Sequence, residues 1–165
     1  MITIRAARTT DVREIRNLID SYSTDGSLLS KATVTIFEDI QEFLVATDGE
    51  RVIGCGALHV MWEDLAEVRT LAVVPDRAHE GIGSQLLEHL LERARALGTK
   101  RVFCLTFRKD FFGHHGFVEI DDAPIGHEVY EQMMQSYDEG VAEFLGLERV
   151  KPNTLGNFRM LRETL

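Results

Sequence analysis

Apolar residues recur at helical spacing in several segments of the chain. The pattern is clearest from Ile82 to Leu97, where an apolar residue returns every three or four positions and predicts a helix with one buried face. Gly98 follows where a glycine commonly ends a helix, because glycine adopts a left-handed backbone without steric cost. Weaker helical patterns cover residues 9–20, 34–40, 110–115 and 128–137, and the residues predicted to face inward in these helices are Val12, Ile15, Leu18, Ile19, Val34, Ile36, Phe37, Ile40, Ile82, Leu86, Leu87, Leu90, Leu91, Ala94, Leu97, Val129, Met133 and Tyr137.

Runs of apolar and β-branched residues bounded by turn residues predict strands. Asp48-Gly49 lies between two such runs and predicts a tight hairpin. The run from Arg101 to Phe107 follows the long helix and is predicted to pair in parallel with the run from Glu67 to Val74. No strand is assigned to the tail from Val141 to Leu165. The predicted strands are residues 2–7, 43–47, 51–62, 67–74, 101–107 and 117–120.

The length and composition of the chain are those of one globular domain. Its 165 residues suffice for one hydrophobic core, and no repeat or linker divides them. No apolar run approaches the roughly 20 residues of a membrane-spanning helix. The first residues carry no secretory or transit pattern. We therefore expect a single domain over residues 1–165, located in the cytoplasm and not in a membrane.

The charge and the cysteines exclude several classes of function. The net charge is −9, from 27 acidic and 18 basic residues, which argues against nucleic acid as a partner but leaves room for a local cationic site. Cys55 and Cys104 both lie in predicted strands and are interpreted as small buried residues, not as a disulfide or a nucleophile. No spacing of histidines and cysteines fits a metal site, so no metal is expected.

Two glycines precede the long helix and suggest a binding site for an anion. The first turn of a helix presents N–H groups that have no intrahelical acceptor, together with a partial positive charge. Gly81 and Gly83 would let a phosphate approach that backbone without meeting a side chain. The alternative, a tight strand-to-helix turn without a ligand, stays open on this feature alone.

Two charged residues interrupt the strand that leads to this loop. Glu67 and Arg69 share a predicted strand face with Leu71 and Val73. Charges in such a strand are costly to bury unless they are paired or hydrated. The face is therefore either a paired or solvated edge, or an open cleft with a carboxylate ahead of the anion loop.

Together these features resemble the GNAT family of acetyl-CoA-dependent N-acetyltransferases. The family loop Arg/Gln-x-x-Gly-x-Gly/Ala corresponds to residues 78–83, where the glycines match and Ala78 replaces the cation. The family signature Phe-Tyr-x-x-x-Gly-Phe corresponds to residues 111–117, with Phe112 in place of the tyrosine. The resemblance implies an α/β (α+β) fold whose central mixed, mostly antiparallel sheet is splayed between two parallel central strands and flanked by helices.

The resemblance also implies where acetyl-CoA binds, as a co-substrate without a metal. In the family, backbone groups of the splayed strand hold the pantetheine and the thioester, and the loop holds the diphosphate. Arg77 or His79 could replace the cation lost at Ala78. The implied cofactor-binding residues are Leu71, Ala72, Val73, Ala78, His79, Glu80, Gly81, Ile82, Gly83, Ser84 and Phe112.

The catalytic roles follow from the same resemblance. Glu67 matches the family's strand glutamate, the general base that takes the proton of the substrate amine, often through water. The N–H of Val73 is the implied donor to the thioester oxygen. The usual acid, a tyrosine, is Phe112 here and has no proton to give. The resemblance to one subfamily of these enzymes implies Thr106 as the partner of the leaving thiolate, and His114 and His115 stay open as alternatives.

Three segments further resemble the short, stand-alone actinobacterial type of N-acetylglutamate synthase. These are residues 26–43, 67–73 and 102–107, and the tail 151–161 extends the resemblance over nearly the whole chain. It implies acetylation of the α-amine of L-glutamate, the entry to arginine biosynthesis. The implied substrate-binding residues are Lys31, Arg69, Arg108 and Asn157.

Other assignments stay open at the level of sequence. A different GNAT substrate is one, such as an aminoglycoside, a polyamine or a protein N-terminus. A non-catalytic CoA-binding module is another, suggested by Ala78 and Phe112. The expected partner is a small amino acid, and because proteins of the resembling family often dimerise, a homodimer is open as well.

Overall fold

A computed structural model describes residues 1–23, 31–146 and 157–165 of the chain. Short 3-10 turns precede α1, β2 and α3, at Thr9–Asp11, Ile40–Glu42 and Pro75–Arg77. The helices are α1 Val12–Ser23, α2 Thr33–Glu38, α3 Ile82–Leu97, α4 Lys109–His114, α5 His127–Met133 and α6 Glu139–Leu145, and the strands are β1 Ile2–Ala6, β2 Phe43–Asp48, β3 Arg51–Trp62, β4 Leu65–Val73, β5 Arg101–Thr106, β6 Val118–Glu119 and β7 Phe158–Arg162.

The strands of the described residues form a seven-stranded mixed sheet in the order β1-β2-β3-β4-β5-β7-β6. Strands β4 and β5 pair in parallel, whereas β1 with β2, β2 with β3, β5 with β7 and β6 with β7 pair antiparallel. The parallel ladder joins Leu65–Glu67 to Arg101–Phe103, and β4 then continues to Val73. The predicted fold class, a mostly antiparallel sheet around one parallel pair with flanking helices, is confirmed.

The residues group into two compact units that each combine separate stretches of chain. The first contains Met1–His59 and Val68–Leu97, and the second contains Val60–Glu67 and Gly98–Leu165. Strands β3 and β4 each contribute residues to both units. No helix within the described part of the chain is long and apolar enough to cross a membrane.

The core of the first unit lies between helices α1 and α2 and one face of β2 and β3. The predicted inward residues of α1 are all buried, and they pack with Ile36, Phe43, Cys55 and Ala57. Helix α3 covers the other face of β3, because a Cβ built at Gly56 would meet Leu90 Cδ1 at 2.8 Å. The predicted inward position is wrong for three residues, which are 46–61% exposed: Val34, Phe37 and Leu97.

One residue breaks the regular alternation of β4. Thr70 has φ +58°, in the left-handed region that a β-branched residue rarely adopts. Arg69 acts on Asp39 at the end of α2, and Ala72 packs in the α1–α2 core, but Leu71 lies on the α3 side of the sheet. The left-handed backbone at Thr70 interrupts the pleat between Arg69 and Leu71, so the regular alternation on which their predicted common face depended is absent here.

The core of the second unit forms around β5 and β7. Phe103 on β5 packs edge-on against Phe144 of α6, with ring centroids 4.9 Å apart. The guanidinium of Arg159, on β7, donates to the carbonyl groups of Asp121 and Phe144. Strand β7 and the part of helix α6 from Val141 onward lie in the tail that the sequence left unassigned. Tyr137 is 96% exposed, so its predicted inward position is wrong.

Candidate active site

The loop predicted to bind an anion lies between a 3-10 turn and α3. Residues 78–81 are exposed, and α3 begins at Ile82, as predicted. His79 has φ +68° and Gly81 has φ +80°, so the chain turns through two left-handed residues before the helix. A Cβ at Gly81 would meet no protein atom within 4 Å. The exposed backbone at the start of α3 can thus receive an anion from solvent.

Arg77, at the start of this loop, already binds carboxylates. Its Nε donates to both carboxylate oxygens of Glu80, at 2.9 and 2.8 Å, and its Nη1 donates to Asp48 Oδ2 at 2.9 Å. The N-terminal amine of Met1 also donates to Asp48, at 3.0 Å, and these two hydrogen bonds lower the pKa of the Asp48 carboxyl. Arg77 is therefore engaged with acidic side chains at the edge of the loop.

The end of β4 is held to α1 by a side chain. The hydroxyl of Tyr22 donates to the carbonyl oxygen of Val73 at 2.5 Å. The N–H of Val74 donates to the carbonyl of Ile53, on β3, at 2.8 Å. The carbonyl of Val73 thus bonds to a side chain, and this contact fixes the backbone of the segment predicted to hold the thioester.

A cluster of charged side chains in the first unit includes both predicted substrate cations. Burial, followed by the charge of Glu42, raises the pKa of the Asp39 carboxyl, while Lys31, Arg69 and His59 act in the opposite direction. Lys31 and Arg69 therefore lie within electrostatic reach of one carboxylate. Both residues therefore act on the charge of Asp39, although they are far apart in sequence.

Three members of this cluster were not among the predicted site residues: Asp39, Glu42 and His59. His59 Nδ1 lies 2.6 Å from Glu42 Oε1, and each side chain is 24% exposed. A histidine within the otherwise apolar strand β3 was the available signal. Only the fold shows that it faces the turn before β2.

In the second unit, Glu67 lies beside Cys104 and near the end of β5. Glu67 is 4% exposed and pairs with Phe103 in the parallel ladder. Burial, and then the charge of Glu67, raise the pKa of the Cys104 thiol well above its usual value. Burial raises the pKa of Cys55 to about 12. Both cysteines are buried and free, as predicted, and neither forms a thiolate near neutral pH.

Thr106, at the end of β5, keeps its hydroxyl proton available. Its Oγ1 accepts a hydrogen bond from the N–H of Arg108 at 2.8 Å, and the residue is 8% exposed. Because the oxygen acts as acceptor in this contact, the hydroxyl proton can be donated elsewhere. This arrangement suits the role that the resemblance implies for Thr106.

The second unit contains an open cavity of about 520 Å³, and one predicted substrate-binding residue lines it. Arg108 lines this cavity, and Phe158, which follows Asn157, pairs with Thr106 across β5 and β7. The side-chain oxygen of Asn157 is buried and accepts no hydrogen bond from the described residues. The cavity is lined by Phe107, Arg108, Lys109, Asp110, Phe111 and Phe158.

Phe112 takes part in an aromatic cluster. Its ring packs edge-on against Phe111 and Phe117, with centroids 5.1 and 5.2 Å apart, and the residue is 6% exposed. Its position in α4 is thus explained by packing. Within residues 1–23, 31–146 and 157–165, no group of three or more His, Cys, Asp or Glu side chains could hold a metal ion.

A sequence model of the acetyltransferase (GNAT) family matches residues 12–119. The chain therefore belongs to the GNAT family of acetyltransferases. It is 52% identical over 161 residues to the amino-acid acetyltransferase of Mycobacterium tuberculosis, which covers 96% of this chain and 92% of that protein. The amino-acid acetyltransferase of Ralstonia nicotianae is 38% identical over 125 residues, and the match spans 73% of this chain and 28% of that longer protein.

Two solved structures also resemble this chain in fold. The crystal structure of Rv2747 from M. tuberculosis, in complex with CoA and NLQ, superposes with a TM-score of 0.94 at 51% identity and covers 99% of both chains. The N-acetylglutamate synthase of Neisseria gonorrhoeae, complexed with coenzyme A and N-acetyl-glutamate, superposes with a TM-score of 0.81. At 23% identity and 35% coverage of that chain, the second match supports the fold alone.

Proposed function

We propose that this protein is an amino-acid N-acetyltransferase of the N-acetylglutamate synthase type. It transfers the acetyl group of acetyl-CoA to the α-amine of L-glutamate, which is the first step of arginine biosynthesis. The observation that carries the proposal is the 52% identity to an amino-acid acetyltransferase over 96% of this chain and 92% of that protein. The proposal includes a cytoplasmic location, where acetyl-CoA is available, and no metal.

Acetyl-CoA is held by the end of β4 and the loop that follows. The backbone from His79 to Ser84 donates to the diphosphate, since His79, Glu80 and Gly81 are exposed and Gly81 presents no side chain there. Backbone groups of Leu71, Ala72 and Val73 hold the pantetheine and the thioester. The N–H of Val73 donates to the thioester oxygen, where negative charge develops during attack. The Tyr22 hydroxyl donates to the Val73 carbonyl and so fixes the peptide unit that follows this N–H, Val73–Val74.

Glu67 is the general base. The substrate amine arrives as an ammonium ion, so one proton has to leave before nitrogen attacks the thioester carbon. Glu67 is 4% exposed and pairs with Phe103 in the parallel ladder, so its carboxylate is held in place and shielded from bulk water. A C–N bond then forms and the C–S bond breaks.

Thr106 assists the leaving group. The sulfur leaves as a thiolate and needs a proton or a hydrogen-bond donor. Thr106 Oγ1 accepts from the Arg108 N–H and thus orients its own proton outward. A threonine hydroxyl is a weak acid, so it donates a hydrogen bond to the thiolate or relays a proton from water.

The carboxylates of the amino acid are bound by Lys31 and Arg69, with Arg108 and Asn157 as further contacts. A carboxylate that leaves water loses several kcal/mol of hydration and requires a cation. Lys31 and Arg69 act on the same carboxyl, that of Asp39, so they supply two cations in one region. The Oδ1 of Asn157 accepts no bond from the described residues and suits the α-amine of the substrate, whereas a carboxylate requires the N–H groups of the same amide.

The experiment is release of free CoA thiol from acetyl-CoA with a panel of amines. The panel contains glutamate, glutamine, spermidine, an aminoglycoside and a short peptide. We expect glutamate to give the highest kcat/KM. The Glu67→Gln variant should lower kcat by about 100-fold or more, because it removes the base.

The other outcomes identify the alternatives. Preference for a polyamine, an aminoglycoside or the peptide would assign another GNAT substrate class. Preference for glutamine would keep an amino-acid acetyltransferase but change its substrate. Tight CoA binding without turnover of any amine would indicate a non-catalytic module. Near-normal turnover by Glu67→Gln at saturating substrate would remove Glu67 from the role of base.

A further inference from the structure

The loop proposed to bind the diphosphate carries an acidic residue. Glu80 directly precedes Gly81, and its side chain is 43% exposed. Like charges repel, and a free carboxylate next to the start of α3 would weaken the binding of a diphosphate, which is itself an anion. The loop thus contains a charge of the wrong sign for its proposed ligand.

Arg77 compensates this charge. Its Nε lies 2.9 and 2.8 Å from the two carboxylate oxygens of Glu80, and Arg77 is 22% exposed, about half as much as Glu80. Asp48 Oδ2 binds the same guanidinium through Nη1 at 2.9 Å. The guanidinium of Arg77 therefore bridges the carboxylates of Glu80 and Asp48.

The same pair closes the loop around a strained residue. Arg77 and Glu80 bracket Ala78 and His79, and His79 has φ +68°. A non-glycine residue in the left-handed region is disfavoured and persists where its surroundings hold it. An ion pair across this turn favours the conformation in which residues 78–81 are exposed ahead of α3.

We propose that Arg77 is a positioning residue for acetyl-CoA, which neutralises Glu80 and holds it away from the diphosphate, and does not itself contact the phosphates. The proposal rests on the proposed function, because it requires that CoA binds this loop. The proposal also accounts for Ala78, which stands where the family loop has a cation. In this chain the cation is Arg77, one residue earlier, and it neutralises the carboxylate of Glu80.

The test is a double-mutant cycle measured by calorimetric titration with CoA. The variants are Arg77→Gln, Glu80→Gln and the double variant. We expect Arg77→Gln to weaken CoA binding roughly tenfold, because it releases an uncompensated carboxylate. Glu80→Gln should bind CoA at least as tightly as the wild type. The double variant should return to within about twofold of the wild-type affinity.

The probe and the control make the result specific. Dephospho-CoA, which keeps the diphosphate and lacks the 3′-phosphate, should show the same cycle. Arg51→Gln is the matched control, because it breaks an exposed Arg–Asp pair of similar length, to Asp76 at 3.1 Å, outside the loop of residues 78–81. Its CoA affinity should equal that of the wild type. In kinetics, Arg77→Gln should raise KM for acetyl-CoA and leave KM for glutamate unchanged.

Three results would overturn the inference. A double variant as weak as Arg77→Gln would mean that Arg77 binds the phosphates directly. An unchanged affinity in Arg77→Gln, with a wild type that binds CoA, would mean that the pair has no role in binding. A wild type that does not bind CoA would overturn the proposed function together with this inference. Glu80→Gln retains Arg77, so it reports on the loop charge even if Arg77→Gln folds poorly.

Discussion

At the scale of single residues, the substrate assignment depends on Lys31. The sequence indicated it through a resemblance, and the structure places it near Asp39 and Arg69. Most lysines are solvated and contribute little to binding. Lys31 differs because a second cation acts on the same carboxylate.

We expect Lys31→Met to raise KM for glutamate by roughly tenfold, which corresponds to about 1.4 kcal/mol of lost ion pairing. Methionine keeps much of the apolar length of lysine and removes the charge. KM for acetyl-CoA should change little. Steady-state kinetics with each substrate varied in turn measures both values. Lys100→Met, at an exposed lysine at the start of β5, is the matched control. An unaltered glutamate KM in Lys31→Met would remove it from the site.

At the scale of elements, the loop before α3 is where sequence and structure agree most closely. The predicted helix bounds, Ile82 to Leu97, are those observed, because a long amphipathic helix is encoded by local periodicity. Gly81 has φ +80°, as a backbone that leads into a ligand-binding helix terminus requires. The exposed backbone there is the element that the proposal assigns to acetyl-CoA.

Gly81→Val should abolish measurable CoA binding and retain the fold. The valine side chain would project into open space next to the helix N-terminus, since no protein atom lies within 4 Å of the Cβ position. Gly98→Val is the matched control, because Gly98 has φ +90° and equally open surroundings at the other end of α3. Both variants carry similar backbone strain, so circular dichroism and thermal melting should give similar values. Calorimetry should separate them, and equal CoA affinity in both would show that the loop is only a turn.

At the scale of the whole molecule, the prediction of one domain is open to a direct test. The chain forms two compact units, and neither is a continuous segment. Strand β3 supplies its residues up to His59 to the first unit and residues 60–62 to the second unit. Strand β4 passes from the second unit to the first after Glu67. Because β3 and β4 each supply residues to both units, neither unit is complete as a separate segment of chain.

We therefore expect one cooperative thermal transition for the intact chain. In differential scanning calorimetry the calorimetric and van't Hoff enthalpies should agree, as they do for two-state domains of this size. Near-UV and far-UV circular dichroism should give the same midpoint. Two resolved transitions, or probe-dependent midpoints, would contradict the prediction of a single domain.

The sequence by itself determined the local elements and the family. Periodicity defined α3, the pair Asp48-Gly49 defined a hairpin whose glycine has φ +61°, and the glycines of residues 78–83 indicated the acetyltransferase family, because each of these is a property of neighbouring residues. Only the tertiary structure decided the break of β4 at Thr70 and the insertion of β7 between β5 and β6.

The tertiary structure alone also decided the charged contacts around the candidate site. Arg77 pairs with Asp48 across 29 residues of sequence, and Glu42 pairs with His59 across 17. Neither pairing has a periodic signal, because each side chain could equally have been solvated. Contacts between distant residues are selected by the packing of the whole chain, and that packing is what turns scattered charges into a candidate binding site.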